Sequence, residues 1–281
     1  MIDPADPDQL SSLLRRHRID LKHSLGQNFI VDAAIRDRIA DAAAVTPDDD
    51  VLEVGAGAGA LTIALARRCR RLVAVELDHR FIPLLREVTG ALPNVEVVES
   101  DILRVDQHKL FPSGGHVVAG NIPYNLTGAL IRKLLDSAPR PRRLSLVVQK
   151  EVAERWTASG GASLATVAVQ VFATARMLFT IPASAFTPPP RVDSACVILE
   201  VRDHAAVAVD DLNAFFRLVE AVFQFRRKQL GGALGRISGI GSTSAGARLR
   251  DSGIDPERRP QTLTLREWEA VYRNFSRGPS R

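Results

Sequence analysis

Short apolar runs alternate with amphipathic segments along the first two thirds of the chain. The runs are short enough for buried strands, and the segments between them repeat apolar residues at helical spacing. The predicted strands are 51–54, 72–77, 95–99, 116–119 and 144–148, and the predicted helices between and before them are 33–44, 61–68, 81–89 and 130–135. This alternation predicts an α/β fold with a doubly wound parallel sheet, in which ligands bind beyond the carboxyl ends of the strands.

The pattern changes in the last third. Residues 165–172 and 177–181 are β-rich or mixed, residues 186–191 form a proline-rich extended loop, and 194–201 is an apolar strand. Helical periodicity returns at 212–223, 228–234, 245–251 and 265–275. We predict a flexible N-terminal arm with one short helix (1–20), an α/β domain (21–203) and a small helical C-terminal domain (204–281).

Composition excludes several classes of protein. The chain is 46% hydrophobic and 25% charged, which is typical of a folded soluble protein. It contains no apolar run long enough for a membrane span, and its N-terminus lacks the apolar region of a secretory signal. Cys69 and Cys196 do not form a metal-ligand pattern. We therefore expect a cytoplasmic protein with reduced thiols and no metal.

The net charge of +5 is unevenly placed. Residues 202–281 hold fourteen Lys or Arg and nine Asp or Glu, so they carry the whole excess. A basic segment of this kind indicates an anionic partner, and nucleic acid is the commonest one. The alternative is a basic face that only contacts water.

A glycine-rich turn follows the first predicted strand. Gly55, Gly57 and Gly59 alternate there with alanine, and residues without a side chain let the backbone approach a ligand closely. Glu76 lies 21 residues after Gly55, near the end of the second strand, where a carboxylate can accept hydrogen bonds from both hydroxyls of a ribose. These features suit a nicotinamide dinucleotide as well as an adenosyl cofactor.

The ends of the next two strands favour the adenosyl cofactor. Asp101 follows the third strand and can accept a hydrogen bond from an adenine amino group, although an aspartate there also suits a helix N-cap. After the fourth strand, the Asn121 side-chain oxygen and the Ile122 carbonyl can each accept one N–H of a planar amine. Pro123 stiffens this turn, and Tyr124 can stack on a base.

Together these motifs resemble the ribosomal RNA adenine N6-dimethyltransferases, which use S-adenosylmethionine. Within that family the chain is most similar to the bacterial enzymes of the kasugamycin-resistance group, which modify 16S rRNA. The matching segments are 25–29, 53–57, 75–78, 121–125, 149–155, 186–194 and 225–228.

The resemblance implies a Rossmann-like methyltransferase domain and assigns three sets of residues. The cofactor set is Asn28, Ile30, Gly55, Gly57, Glu76, Leu77, Asp101, Ile102 and Asn121. The catalytic set is Asn121, Ile122, Pro123, Tyr124 and Phe186, with Phe186 stacking on the base opposite Tyr124. The candidates for RNA phosphate contacts are Arg226, Arg227, Lys228, Arg248 and Arg250.

The implied reaction is dimethylation of N6 on two adjacent adenosines in the 3′-terminal hairpin of 16S rRNA, within the small ribosomal subunit, by a monomeric enzyme. A 23S rRNA methyltransferase conferring macrolide resistance is one alternative; that group usually has Ser where this chain has Gly26. A non-enzymatic RNA-binding factor that keeps the fold is another. A dehydrogenase would leave the Asn121–Tyr124 segment unexplained.

Overall fold

The computed structural model describes residues 2–21, 27–123, 127–136, 138–158, 160 and 163–275. The chain divides into two compact units. The first comprises Met1–Glu154 and Ala173–Val201, and the second comprises Arg155–Phe172 and Arg202–Arg281.

The first unit is built on a seven-stranded sheet. Its strands are β2 (Asp50–Val54), β3 (Arg71–Glu76), β4 (Val95–Glu99), β5 (Val117–Asn121), β6 (Arg143–Gln149), β7 (Ala173–Ile181) and β9 (Ser194–Val201). Their order is β4-β3-β2-β5-β6-β9-β7, with the pairs from β4 to β6 parallel and both pairs of β9 antiparallel. A small antiparallel pair joins β1 (Phe29–Ile30) to β8 (Phe186–Thr187). The predicted α/β fold is thus confirmed.

Helices follow the parallel strands as the pattern predicted. Those of the first unit are α1 (Pro7–Arg16), α2 (Ala33–Ala42), α3 (Ala60–Ala66), α4 (Ile82–Thr89), α5 (Gln107–Leu110) and α6 (Thr127–Asp136), and α7 (Lys150–Thr157) crosses into the second unit. The helices of the second unit are α8 (Leu164–Phe172), α9 (Leu212–Phe223), α10 (Leu230–Ser238), α11 (Gly241–Asp251) and α12 (Leu265–Phe275).

Helix α8 corrects the prediction of a β-rich or mixed segment at 165–172. The Ser163 hydroxyl accepts a hydrogen bond from the Thr166 N–H at 3.1 Å and starts the helix. Val167, Val169 and Val171 are all buried, so the helix is apolar around most of its circumference and shows no helical period. The structure divides the chain at 201/202, close to the predicted boundary, but it also places Arg155–Phe172, including α8, in the second unit, which the sequence did not predict.

The predicted flexible arm is a packed element of the first unit. Asp6 caps α1, accepting hydrogen bonds from the N–H groups of Asp8 and Gln9. Leu10, Leu13 and Leu14 are buried in the main core cluster. These three leucines, at positions i, i+3 and i+4, form one apolar face of the helix. The polar composition of the surrounding segment had suggested an arm that does not pack.

The second unit has an aromatic core. Phe216 stacks on Phe172 with ring centroids 5.6 Å apart and meets Phe215 edge to face. The hydroxyl of Tyr272 donates a hydrogen bond to Asp210 at 2.7 Å.

Among the residues that the structure describes, no helix combines the length and apolar character needed to cross a membrane, and no group of His, Cys, Asp and Glu side chains is arranged to hold a metal ion.

Candidate active site

A cavity of about 550 Å³ lies in the first unit at the carboxyl ends of the parallel strands. Its size falls within the usual range for small-molecule sites. It is lined by the turn after β2, the ends of β3 and β5, and the residues following β4. All nine predicted cofactor residues line it, so the structure brings together five separate segments of the sequence.

The glycine-rich turn forms the floor of this cavity. The N–H groups of Gly55 and Ala56 both donate to the Val75 carbonyl, at 2.9 and 3.2 Å. Gly57 has φ +54°, and a Cβ on it would lie 2.9 Å from the Phe29 ring. Both the left-handed backbone and the close ring therefore require glycine here.

Glu76 joins the end of β3 to this turn. One carboxylate oxygen accepts the Gly57 N–H at 2.8 Å, and the other accepts the Asp78 N–H at 2.8 Å. Burial raises the pKa of Glu76, while these N–H groups oppose the rise. A carboxylate has about four lone-pair sites, so Glu76 can hold the turn and still accept a hydrogen bond from a ligand.

Several residues of the site escaped the sequence analysis. Burial raises the pKa of Glu53 to about 8, so this carboxyl keeps its proton at neutral pH. Gln27 donates to the Asp78 carboxylate at 3.0 Å, and the Arg80 guanidinium beside Asp78 lowers the pKa of that carboxyl to about 2. Pro4 also lines the cavity. Glu53 and Asp78 lie inside the motifs quoted above, and that position was the signal that could have identified them as site residues. No motif includes Pro4, so the sequence offered no signal for it.

Apolar side chains also line the cavity. Leu77 is 68% exposed, which is unusual for a leucine at the end of a buried strand, and Ile102 is buried. Asp101 precedes Ile102, and its carboxylate accepts the Leu103 N–H at 2.9 Å. The second carboxylate oxygen of Asp101 keeps acceptor capacity for a ligand. Apolar groups beside a carboxylate suit a planar ring with an amino group.

Asn121 is the last residue of β5, and its amide has a fixed orientation. The side-chain Nδ2 donates to the Asn28 carbonyl at 2.7 Å, which leaves Oδ1 as the acceptor of this side chain. The Ile122 N–H donates to the Val147 carbonyl of β6 at 3.0 Å. Asn121, Ile122 and Pro123 all line the cavity, whereas the predicted Tyr124 lies outside the described residues.

Comparison with known proteins identifies the family. The sequence profile described as ribosomal RNA adenine dimethylase matches residues 18–271. The chain belongs to the ribosomal RNA adenine dimethylases. As a member of that family it is a methyltransferase that depends on S-adenosylmethionine and acts on ribosomal RNA.

Curated relatives of the dimethylase match it over nearly its whole length. A protein of Pelotomaculum thermopropionicum is 41% identical, covering 98% of both chains. One of Geobacter metallireducens is 41% identical over 92% of this chain and 97% of the relative. One of Geobacillus thermodenitrificans is 38% identical over 96% of each. All three are named ribosomal RNA small subunit methyltransferase A.

Solved structures confirm the fold. The 23S rRNA methyltransferase ErmE is 29% identical, with a TM-score of 0.67 over 89% of the dimethylase and 100% of that chain. A dimethyladenosine transferase from Plasmodium falciparum is 24% identical, with a TM-score of 0.70 over 89% of the dimethylase and 98% of that chain.

The cavity of the dimethylase fits S-adenosylmethionine on chemical grounds. Because a Cβ at Gly57 would clash with the Phe29 ring, the turn carries no side chain there and offers a cradle of backbone atoms to the cavity. Glu76 offers carboxylate lone pairs next to this cradle. Leu77 and Ile102 offer apolar surface beside Asp101. Such a site suits a ligand with ribose hydroxyl groups and an amino-purine ring. It also suits an extended chain on that ligand, which would lie against the backbone atoms of the turn.

Phe186 occupies a different place from the other predicted catalytic residues. It pairs with Ile30 across β8 and β1, and it is 3% exposed within the core cluster. It is absent from the described residues that line the cavity. Stacking of Phe186 on a base therefore stays a prediction, and it requires a movement that exposes the ring.

The basic residues assigned to RNA all lie in the second unit. Arg226, Arg227 and Lys228 are exposed in the turn between α9 and α10. Arg250 is exposed on α11, whereas Arg248 is partly buried there and donates to the Asn274 carbonyl at 3.3 Å. Four of the five are thus accessible to a phosphate backbone, and Arg248 is the least accessible of them.

Proposed function

We propose that this dimethylase transfers methyl groups to N6 of two adjacent adenosines in the 3′-terminal hairpin of 16S rRNA. The observation that carries the proposal is the near full-length similarity to several small-subunit methyltransferases at 38–41% identity. The substrate would be the RNA within an assembling small subunit in the cytoplasm, and the enzyme would act as a monomer without a metal.

The cofactor would occupy the 550 Å³ cavity. Glu76 would accept hydrogen bonds from the ribose hydroxyls, and Asp101 would accept one from the adenine amino group, with Leu77 and Ile102 against the ring. When bound, S-adenosylmethionine supplies a methyl group on a sulfonium, which is electrophilic without further activation. The protein therefore has to bind it, orient it and exclude water.

Asn121 and Ile122 would orient the nucleophile. The adenine N6 lone pair is delocalised into the ring, and two acceptors on its N–H groups favour a pyramidal nitrogen whose lone pair is available. The Asn121 side-chain oxygen and the Ile122 carbonyl are such acceptors. No strong base is needed, because the methylated nitrogen is cationic and loses its proton readily to water.

A neutral acceptor also permits the second transfer. After the first methylation only one N–H remains on N6, so one of the two acceptors loses its donor. An unpaired carboxylate in this place would be costly to desolvate, whereas an unpaired amide oxygen costs much less. Asn121 in place of an aspartate is therefore suited to a site that accepts both the unmodified and the monomethylated base.

RNA would be held through its phosphates by the turn between α9 and α10. We expect the triple change of Arg226, Arg227 and Lys228 to alanine to weaken RNA binding about tenfold to a hundredfold, and to lower the slope of log affinity against log salt by about two. Filter binding over a salt series measures both.

The control is a second triple change in the same unit, at the exposed residues Arg217, Arg266 and Arg273. Changing these three to alanine removes the same charge. Equal effects of the two triples would refute the assignment of this turn.

A 23S rRNA methyltransferase is the second candidate, favoured by the 29% identity to ErmE. Labelled S-adenosylmethionine, offered with small subunits that lack the modification and separately with protein-free 23S rRNA, distinguishes the candidates by mass spectrometry of the nucleosides. We expect N6,N6-dimethyladenosine in 16S rRNA only. Label in 23S rRNA alone would replace the proposal with the second candidate. Cofactor binding without label in either RNA would instead favour a binding factor.

A further inference from the structure

The N-terminal segment contributes to the cavity as well as to the core. Pro4 is buried and lines the same cavity as Gly55, Glu76 and Asn121. Ala5 is 2% exposed, and Ile2 packs against the main core cluster. A segment that precedes the first helix thus supplies a wall to a site formed by strand ends far along the chain.

An ion pair attaches this segment to helix α2. Arg36 of α2 is 6% exposed, and its guanidinium contacts both carboxylate oxygens of Asp3 at 2.6 and 2.7 Å. The other side of the guanidinium binds Asp37, with Nε 2.9 Å from its carboxylate. Charge-assisted pairs with a buried arginine hold their partners in a defined geometry.

Asp3 also shapes the turn that carries Pro4. Its Oδ1 accepts the Ala5 N–H at 2.9 Å, and its carbonyl accepts the Asp6 N–H at 3.1 Å. Its own N–H donates to the Gln9 side chain at 2.9 Å. One residue therefore fixes the backbone on both sides of Pro4 and connects it to Arg36.

The geometry points to residues 2–5 as a strap that forms one wall of the cofactor cavity, with the Asp3–Arg36 pair as its fastening. The strap positions bound S-adenosylmethionine and slows its departure, because Pro4 excludes water from one side of the site. The inference rests on the proposed place of the cofactor in this cavity. Asp3 and Arg36 are positioning residues, since they act through Pro4.

Two matched variants test the strap. Asp3→Ala and Asp37→Ala each remove one carboxylate partner of Arg36, and only the first releases the strap. We expect Asp3→Ala to weaken binding of S-adenosylhomocysteine about tenfold and to speed its dissociation. Asp37→Ala should bind it like the unchanged protein. Calorimetry gives the Kd, and stopped-flow displacement gives the dissociation rate.

A third variant tests the strap in case Asp3→Ala does not fold. Pro4→Ala leaves the ion pair in place and removes the proline ring from the wall, so it should also weaken binding while thermal unfolding without ligand stays unchanged. Equal Kd values for Asp3→Ala and Asp37→Ala, or an unchanged Kd for Pro4→Ala, would overturn the inference. If Glu76→Gln also bound the ligand like the unchanged protein, the place of the cofactor itself would be wrong.

Discussion

Asn121→Ala should lower the turnover number about a thousandfold and leave most cofactor binding intact. The change removes one of the two acceptors that we propose orient the adenine amino group, next to the reacting nitrogen. It also removes the 2.7 Å hydrogen bond from Nδ2 to the Asn28 carbonyl. Because Asn28 lines the cavity as well, we expect the cofactor Kd to rise by about fivefold at most.

Single-turnover methyl transfer at saturating cofactor separates these two effects, since it reports the chemical step alone. Asn121→Asp is the informative companion variant. It keeps the size of the side chain but places a carboxylate oxygen against the Asn28 carbonyl, where the amide donated. We expect that variant to be as slow as Asn121→Ala. Turnover close to that of the unchanged protein in either variant would remove Asn121 from the reaction.

Glu76→Gln should weaken binding of S-adenosylhomocysteine about a hundredfold, because one change disturbs both the ligand and the turn. The carboxylate accepts the N–H groups of Gly57 and Asp78, each at 2.8 Å. An amide can accept only one of them, and its NH₂ group then faces the other donor. The Gly57 turn would lose its anchor while the ribose hydroxyls lose an acceptor.

The neighbouring strand offers a matched control for this variant. Glu99 pairs in register with Glu76 on β4 and is exposed, so Glu99→Gln removes the same charge from the adjacent position. Calorimetry should show an unchanged Kd for that control. A Glu76→Gln protein that binds with the affinity of the unchanged chain would exclude this carboxylate from the cofactor site.

The sequence was sufficient to predict which residues lie at the strand ends. It was insufficient to predict which segment of the chain covers them. Gly55, Glu76, Asp101 and Asn121 each follow or end an apolar run, and the topology of a parallel sheet places such residues at one edge. Local pattern therefore predicted that these four residues lie together, and the resemblance supplied the rest of the proposed cofactor set. The Asp3–Arg36 pair spans 33 positions, and a contact of that range leaves no trace in periodicity or turn chemistry.

Helix α8 shows a second limit. Its valines favour a strand by intrinsic preference, but preference for β-structure depends strongly on the surroundings. Burial on nearly all sides removed the amphipathic period that would have identified a helix. The stacking role of Phe186, which only the resemblance implies, stays a prediction, since its ring lies in the core in this structure.

The second unit is assembled from two separate stretches of chain, and this affects how the protein can be divided. Helix α8 packs with α9 and α12, and Phe172 stacks on Phe216. A fragment ending at residue 203 would keep α8 and lose these partners, leaving Val167, Val171 and Phe172 in contact with water. Exposed apolar surface of this kind promotes aggregation. We therefore expect a fragment of residues 1–203 to aggregate, and ribosome-bound nascent chains would carry this unshielded helix until α9 and α12 are synthesised.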